Sequence, residues 1–187
     1  MTDPDHHFVE RARRGDLPAF EELVRRHHAI VLRVTARVVG EADCEDVTQD
    51  VFLRAFHRLD RFRGEAPFRA WLLRIAHNTA LSAASGRRAD SAPWDGLDGP
   101  DAAVAAGTPA DSLEGRERRE RLGVKLKGLN PEHRMVLVLR DVEGLTYDEI
   151  AEVTGTPLGS VKARLHRARN DMVHALRTNT YDWELPG

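Results

Sequence analysis

Apolar residues recur at intervals of three and four along much of this chain, the spacing that places side chains on one face of an α-helix. Three such series run from Phe20 to Val38, from Val47 to Leu59 and from Phe68 to Thr79. Asp16 precedes the first series at a position suited to an N-cap, and Gly40 follows it at a position suited to a helix end. Strand-like alternation is absent from the sequence. The pattern therefore predicts an all-α protein.

The second half of the chain predicts four more helices. A charged, amphipathic segment covers Leu113–Lys127. Asn130 followed by Pro131 is a typical helix start, because asparagine caps the first turn and proline fits the first helical position. We expect this helix to run to about Val142, before Gly144.

The last two predicted helices form a helix-turn-helix. Thr146 and Glu149 have the spacing of a capping box, which predicts a short helix through Val153. A turn at 154–157 follows, and apolar residues from Leu158 to Leu176 then line one face of a longer helix. The outer face of this longer helix is basic. That arrangement is typical of motifs that place their second helix in the DNA major groove.

Residues 89–113 separate the two halves and contain five aspartates and no lysine or arginine. This segment is rich in alanine, glycine and proline, which predicts an acidic, flexible linker. We therefore predict two small helical domains, at 5–88 and 114–177. The formal net charge is only −2. However, basic residues are concentrated at 54–88 and 156–177, and such patches are typical of phosphate binding. Solvated helix faces remain the alternative for either patch.

Composition excludes several classes of protein. No apolar run approaches the ~20 residues of a spanning helix, and Met1–His7 does not resemble a signal peptide, so we expect a cytoplasmic protein. Cys44 is the single cysteine, which excludes an internal disulfide and leaves a redox role without a resolving partner. Adjacent His27 and His28 make a poor metal pair, and no common catalytic motif is present. We expect no catalysis, metal, cofactor or small-molecule substrate.

A loop in the first domain mixes arginine with aromatic residues. It runs from Arg61 to Phe68 and is followed by Trp71. Rings and guanidinium planes in such a loop suit unpaired nucleic-acid bases. The alternative is that Phe68 and Trp71 are core residues at helical spacing, whereas Phe62 precedes the helix.

These features, in this order, resemble the extracytoplasmic-function (ECF) sigma factors of bacteria, and most closely their envelope-stress branch. Three segments carry the resemblance: Asp46–Phe52, Phe62–Asn78, and Asp141–Ala151 with Pro157–Arg169. They are similar to the family's polymerase-binding helix, its promoter-melting loop and helix, and its helix-turn-helix.

The resemblance implies a transcription initiation factor that binds core RNA polymerase and promoter DNA. The implied contacts to the polymerase β′ coiled coil are Asp46, Gln49, Asp50 and Phe52, and the β flap is a second implied contact. The implied −10 strand residues are Phe62, Arg63, Gly64, Trp71, Ile75 and Asn78. The implied −35 base-reading residues are Lys162, Ala163, His166 and Arg167. The implied −35 phosphate contacts are Arg140, Tyr147, Ser160, Arg164 and Arg169.

The resemblance also implies an inhibitory partner, since many members of the family are held by an anti-sigma factor that is often membrane-anchored. From the residues alone, a two-domain DNA-binding regulator without a polymerase role stays open. That alternative leaves the acidic helix at 41–50 and the aromatic loop unexplained.

Overall fold

The computed structural model describes residues 3–86 and 128–177, together with residues 123, 125 and 126. All regular structure within them is helical, as predicted. The helices are α1 (His6–Arg13), α2 (Leu17–Val39), α3 (Cys44–Arg58), α4 (Phe68–Ala84), α5 (Pro131–Leu137), α6 (Tyr147–Thr154) and α7 (Leu158–Arg177). A 3-10 turn at Leu59–Arg61 extends α3, and a π-helical turn at Val138–Val142 extends α5. The predicted linker lies outside the described residues, as does most of the predicted helix at 113–127.

Side chains start three of the helices as the sequence predicts. Asp16 Oδ1 accepts a hydrogen bond from the Ala19 amide at 3.3 Å, and Asn130 Oδ1 accepts one from the Glu132 amide at 2.9 Å. Thr146 and Glu149 form the predicted capping box ahead of α6. These contacts satisfy amide groups that have no partner within the helix. The helix starts are therefore confirmed.

Helix α1 differs from the predicted elements, since no helix was expected before Leu17. Only eight residues long, it buries just Val9 and Ala12. Two buried positions are too few to establish a helical period, because that signal needs a window of about 11 residues or more. The helix owes its place to packing against α2 and to Asp5, which accepts a hydrogen bond from His27 Nε2 at 2.7 Å.

Helices α1–α4, here called the N-terminal group, pack around α2. The longest of the four, α2 contacts α1, α3 and α4. Its apolar stripe is fully buried at Leu23, Val31, Val34 and Val38. A buried hydrogen bond between the hydroxyls of Thr35 and Thr48, 2.7 Å apart, joins α2 to α3.

Helices α5–α7, here called the C-terminal group, add buried side chains to the same hydrophobic cluster. Met135 and Leu139 of the α5 segment, Ile150 of α6 and Leu165 of α7 are each 0 or 1% exposed. None of the described helices carries an apolar stretch long enough to cross a membrane.

The two groups also pack against each other. Helix α4 contacts α6, and α2 contacts α5. Arg33 of α2 holds Glu143 in a two-pronged salt bridge, with Nε–Oε1 and Nη2–Oε2 distances of 3.0 and 2.9 Å. Buried Arg134 of α5 donates a hydrogen bond to the carbonyl of Val38 at the end of α2. The described chain is thus one continuous helical body.

Candidate nucleic-acid and polymerase interfaces

Helices α6 and α7 form the predicted helix-turn-helix. Helix α6 ends at Thr154, and Gly155 then takes a left-handed conformation with φ of 64°. Glycine adopts that conformation without a steric penalty, which lets the chain reverse within a few residues. Pro157 directly precedes α7, and its carbonyl accepts hydrogen bonds from the amides of Ser160 and Val161.

The outer face of α7 carries the residues predicted to read bases. Buried Val161, Leu165 and Ala168 hold the helix against its neighbours. The predicted reading residues Lys162, Ala163, His166 and Arg167 are all exposed. An exposed helix face that carries lysine and arginine side chains can enter a major groove, where arginine pairs bidentately with guanine.

The predicted phosphate contacts are arranged around this face, and most of them already have partners. Arg169 forms a 2.7 Å salt bridge to Asp141, which raises the pKa of its guanidinium. Arg164 pairs with Glu132 at 3.2 Å, and only 20% of its side chain is exposed. Ser160 is exposed and remains available at the N-terminal end of α7.

Arg140 and Tyr147, also predicted phosphate contacts, touch each other. The guanidinium carbon of Arg140 lies 4.9 Å from the centre of the Tyr147 ring. Arg140 Nη1 also donates a 2.7 Å hydrogen bond to the Leu145 carbonyl. Arg140 therefore supports the turn between α5 and α6.

A cleft of about 300 Å³ opens at the aromatic loop of the N-terminal group. It is lined by Arg61, Phe62, Arg63, Gly64, Glu65, Ala66, Ala70, Trp71, Arg74 and Glu152. Four of the six predicted −10 residues are among these: Phe62, Arg63, Gly64 and Trp71. Arginine side chains and aromatic rings thus border one concave surface, which suits a strand with unstacked bases.

Phe62 differs from the expectation that a loop residue would be free to contact a base. Its side chain is 7% exposed, and its ring lies 5.9 Å from that of Phe68 and 5.2 Å from that of Trp71, centre to centre. The ring is held in the core because α4 brings Phe68 and Trp71 beneath the loop. A base entering the cleft would therefore meet the edge of an aromatic cluster.

Ile75 and Asn78 lie on α4 beyond the residues that line the cleft. Ile75 is buried, with 6% exposure, so its side chain belongs to the core. Asn78 is exposed, and its Oδ1 lies 3.1 Å from Nδ1 of buried His77. Asn78 therefore does not line the cleft with Phe62, although the resemblance implies that both contact the −10 strand.

The predicted polymerase-binding face of α3 is exposed at its acidic positions. Asp46, Gln49 and Asp50 all face solvent, and 59% of the Asp50 side chain is exposed. Phe52 differs from these, because it is 8% exposed and stacks on the ring of His28 at 6.1 Å. Phe52 therefore anchors α3 to α2, and Leu53 and Phe56 are the more exposed apolar residues on that helix.

Two charged residues of the cleft, Arg74 and Glu152, belong neither to the predicted loop nor to the predicted −10 residues. Arg74 follows Trp71 by three residues on α4, so helical periodicity could have placed it on the same face. Glu152 comes from α6 in the other group. Because that pairing depends on how the two groups pack, no local pattern in the sequence indicates it.

Two family models and several known proteins are similar to this chain. Residues 23–89 match the family model for sigma-70 region 2, and residues 119–172 match the model for sigma-70 region 4. The chain is 36% identical over 172 residues to the ECF RNA polymerase sigma-E factor of Escherichia coli K12, covering 88% of this chain and 90% of that protein. The chain is an ECF sigma factor. It is therefore a transcription initiation factor, from a family of transcription regulators rather than of catalytic enzymes.

Two more relatives of this ECF sigma factor agree. The sigma-E factor of Haemophilus influenzae is 34% identical over 172 residues, covering 88% of this chain and 91% of that protein. The solved structure of CnrH in complex with the cytosolic domain of CnrY is similar with a TM-score of 0.68 and 30% identity, covering 94% of this chain and 99% of CnrH. The predicted family and all-α fold are confirmed.

Proposed function

We propose that this ECF sigma factor binds core RNA polymerase through α3, reads −35 duplex through α7 and captures the −10 single strand at the cleft. The observation that carries the proposal is the helix-turn-helix, whose reading positions are exposed on α7 while its apolar face is buried. Family membership supports the same role, since the matched models correspond to the two regions that contain these surfaces. Because core polymerase is cytoplasmic, the proposal places this sigma factor in the cytoplasm.

The −35 contact rests on charge and on shape. Lys162 and Arg167 present cationic ends beyond the first turn of α7, where residues of a recognition helix meet base edges. Within the described residues, no salt bridge forms at either one. Arg169 can exchange its carboxylate partner for phosphate, because an exposed ion pair contributes little stability and is easily replaced. Arg164 can do the same through its partner Glu132, which is 56% exposed at its side chain.

The −10 contact rests on the cleft rather than on one residue. Arg63 is largely exposed and can follow the strand backbone, while Trp71 offers a partly buried ring for stacking. Gly64 has φ of 72°, which turns the loop back toward α4. Asn78 supplies a donor and an acceptor farther along α4, where a neighbouring base could reach it.

The acidic face of α3 gives the polymerase contact. Asp46 and Asp50 lie four residues apart and share one face, so both can meet a basic surface. An anti-sigma factor is a further proposed partner, because CnrH is found in complex with CnrY. The apolar side chains exposed beside this face, Leu53 and Phe56, give such a partner something to cover.

Run-off transcription tests the proposal against the alternative of a DNA-binding regulator without a polymerase role. Core polymerase supplemented with the full chain should start RNA synthesis at a cognate promoter, whereas core alone should not. A promoter with a pre-melted −10 bubble then tests the cleft, with Asn78→Ala and Arg63→Ala expected to weaken binding of its non-template strand. DNA binding without stimulated initiation would favour the alternative. Unchanged strand binding by both variants would place the −10 site elsewhere.

A further inference from the structure

The aromatic loop that borders the cleft depends on its two ends for its conformation. It lies between the 3-10 turn at Leu59–Arg61 and the start of α4 at Phe68, and it supplies most of the residues that line the cleft. No backbone amide from Arg63 to Ala66 donates to a backbone carbonyl of the described residues. Because no such bonds hold the loop internally, the groups that fix its ends also shape the cleft.

Asp3, near the beginning of the chain, fixes the second end of the loop. Its Oδ2 atom accepts a 2.6 Å hydrogen bond from the amide of Phe68, the first residue of α4. Pro67, at the N-cap position, makes no side-chain cap, and the first turn of α4 contains no acidic residue. Amides of a first turn lack a partner within the helix, and the helix dipole also favours a carboxylate there. Asp3 thus supplies a cap that the local sequence of α4 lacks.

The Asp3 carboxylate is itself held in place. Its Oδ1 atom accepts a 3.0 Å hydrogen bond from the Asp5 amide. The carboxylate of buried Asp5 contacts two side chains of α2, with Oδ2 2.7 Å from His27 Nε2 and Oδ1 3.2 Å from Arg26 Nη1. Both oxygens of Asp3 are therefore engaged, and the chain is anchored to α2 two residues later.

Helix α1 contacts the first end of the loop. It lies against the 3-10 turn, and its Arg13 Nη2 atom donates a 3.4 Å hydrogen bond to the Asp60 carbonyl within that turn. Residues 3–13 therefore contact the chain on both sides of the aromatic loop.

Phe68 links the Asp3 hydrogen bond to the rings of the cleft. Its side chain is 1% exposed, and its ring centre lies 5.9 Å from that of Phe62 and 5.6 Å from that of Trp71. The His27 ring of α2 packs against it at 5.4 Å. A shift of the Phe68 backbone would therefore move the rings that a base would meet.

We propose that Asp3 is a positioning residue for the −10 strand, because its hydrogen bond to the Phe68 amide holds the loop and the rings of the cleft in the conformation that binds. This role rests on the −10 function proposed above. A site formed in advance avoids the cost of ordering on binding, and a site formed only part of the time loses apparent affinity in proportion. We expect loss of the cap to weaken strand binding ~5-fold, within the range of measured helix-cap losses.

Fluorescence of Trp71 in the full-length chain tests the positioning without DNA. Trp94→Phe and Trp183→Phe leave Trp71 as the single tryptophan of the sequence. Acrylamide should give a higher quenching constant in Asp3→Ala than in the unchanged background, because the half-buried Trp71 ring loses its fixed packing against Phe62.

Asp16→Ala is the matched control. Asp16 also caps a helix of the N-terminal group, through the Ala19 amide of α2, and its loss makes the same change in net charge. It pairs with Arg11 as well, so its loss should destabilise the fold at least as much. Quenching of Trp71 should nevertheless stay unchanged in Asp16→Ala, because Asp16 caps α2 and not α4.

Binding of a labelled single-stranded DNA with the −10 non-template sequence tests the role in function. With core polymerase saturated by each protein, Asp3→Ala should bind the strand ~5-fold more weakly than wild type, and Asp16→Ala should stay within about twofold. Both variants lose one negative charge, which by itself favours binding to phosphate. Weaker binding by Asp3→Ala therefore has the opposite sign to the charge effect.

Asp3→Asn separates the hydrogen bond from the charge. Asparagine keeps an oxygen that can accept from the Phe68 amide and is a good helix cap, yet it carries no charge. Quenching and strand affinity of Asp3→Asn should therefore lie closer to wild type than to Asp3→Ala. An asparagine variant as defective as the alanine variant would overturn the hydrogen bond as the cause.

The remaining outcomes separate this role from the −10 function. Equal quenching of Trp71 with and without Asp3→Ala, or equal strand affinity, would overturn the positioning role. A loss of affinity in Asp16→Ala as large as in Asp3→Ala would overturn it too, because general destabilisation would explain both. If neither wild type nor any variant binds the strand, the −10 function fails, and the quenching measurement still decides whether Asp3 fixes the cleft.

Discussion

The outer face of α7 and the cleft at the aromatic loop are both candidate DNA surfaces, yet they are built differently. On α7, the side chains that would read bases point into solvent, and a separate apolar stripe holds the helix in place. At the cleft, Phe62 is itself part of the core, and the partly buried ring of Trp71 packs against it. A surface made from exposed residues can change its specificity without loss of stability. A surface made from core residues cannot.

We expect the largest effect on stability from removal of the Phe62 ring, which tests whether the cleft is built from core residues. Phe62→Ala should lower the free energy of unfolding by ~3–5 kcal/mol, because it removes a buried ring that packs against Phe68 and Trp71. Urea unfolding measures the change. Phe56→Ala is the matched control, since Phe56 is 40% exposed and should cost much less.

Phe62→Leu then separates packing from base contact. Leucine keeps much of the apolar volume but removes the ring, so most of the stability should return. If Phe62→Ala changes stability by less than ~0.5 kcal/mol, as a surface substitution would, Phe62 is not a core residue in solution.

Removing Arg167 should produce the next largest effect, on DNA rather than on the fold. Arg167→Ala should weaken binding of −35 duplex by ~1–3 kcal/mol and relax base preference at one position. Among the described residues its side chain hydrogen-bonds the Ala163 carbonyl of its own helix, so stability should stay within ~0.5 kcal/mol. Fluorescence anisotropy with a set of single-base variants of the site measures both.

Arg177→Ala provides the control on the same helix. Arg177 is exposed at the far end of α7, ~15 Å from Arg167 at 1.5 Å per residue. Its loss should weaken all sequences alike, if it has any effect. An unchanged base preference in Arg167→Ala would contradict the assignment of α7 as the reading helix.

The sequence predicts features that depend on neighbouring residues better than features that depend on how distant helices pack. The helix starts at Asp16, Asn130 and Thr146 were predictable, because capping is local and each cap contacts residues only two or three positions away. Burial of Phe62 was not predictable, since it depends on rings that α4 brings beneath the loop. Likewise, nothing local places Glu152 in a cleft formed by loop residues about 90 positions earlier.

Phe52 and Ile75 show why family resemblance alone does not settle a site. Both lie within segments that resemble functional parts of the family, and both are buried here. Helical periodicity makes every third or fourth residue of such a segment a core residue. A segment can therefore carry the function while some of its members only hold it in place.

A pH titration gives a smaller effect that reports on the contact between the two groups. Burial lowers the pKa of His77 below its usual value of 6.5, and the nearby Arg164 and Arg74 act in the same direction. The unfolded chain therefore binds a proton before the folded one as pH falls. The contribution of His77 to the free energy of unfolding is fully present above pH 6.5. It decreases as pH falls from 6.5 to the lower pKa of the folded state, with a slope of at most ~1.4 kcal/mol per pH unit.

Urea unfolding of wild type and His77→Gln across this range measures the slope. The variant should show a shallower dependence, because glutamine does not titrate. Other histidines remain in both proteins, so the difference between the two curves isolates His77. Equal slopes would mean that His77 is solvated and that the groups do not bury it.

We expect the smallest effect at Asp50. This residue tests whether exposure, rather than membership of the N-terminal or the C-terminal group, distinguishes surfaces made of exposed residues from surfaces made of core residues. Asp50 belongs to the N-terminal group, yet it is exposed like the reading residues of α7, and its contact with Arg54 is long at 4.0 Å. Asp50→Arg should therefore change the free energy of unfolding by less than ~0.5 kcal/mol.

Binding of core polymerase by Asp50→Arg should weaken by about 1 kcal/mol at low salt, the size of one charge pair near a solvated surface. The difference should fade as salt rises, because the Debye length shortens to ~3 Å at 1 M. Titration of labelled chain with core polymerase at several salt concentrations measures this, with Glu10→Arg as a charge-matched control on α1. A loss that persists at high salt would indicate a buried contact at Asp50. The acidic face of α3 would then resemble the cleft, where binding and packing share residues, and not the open face of α7.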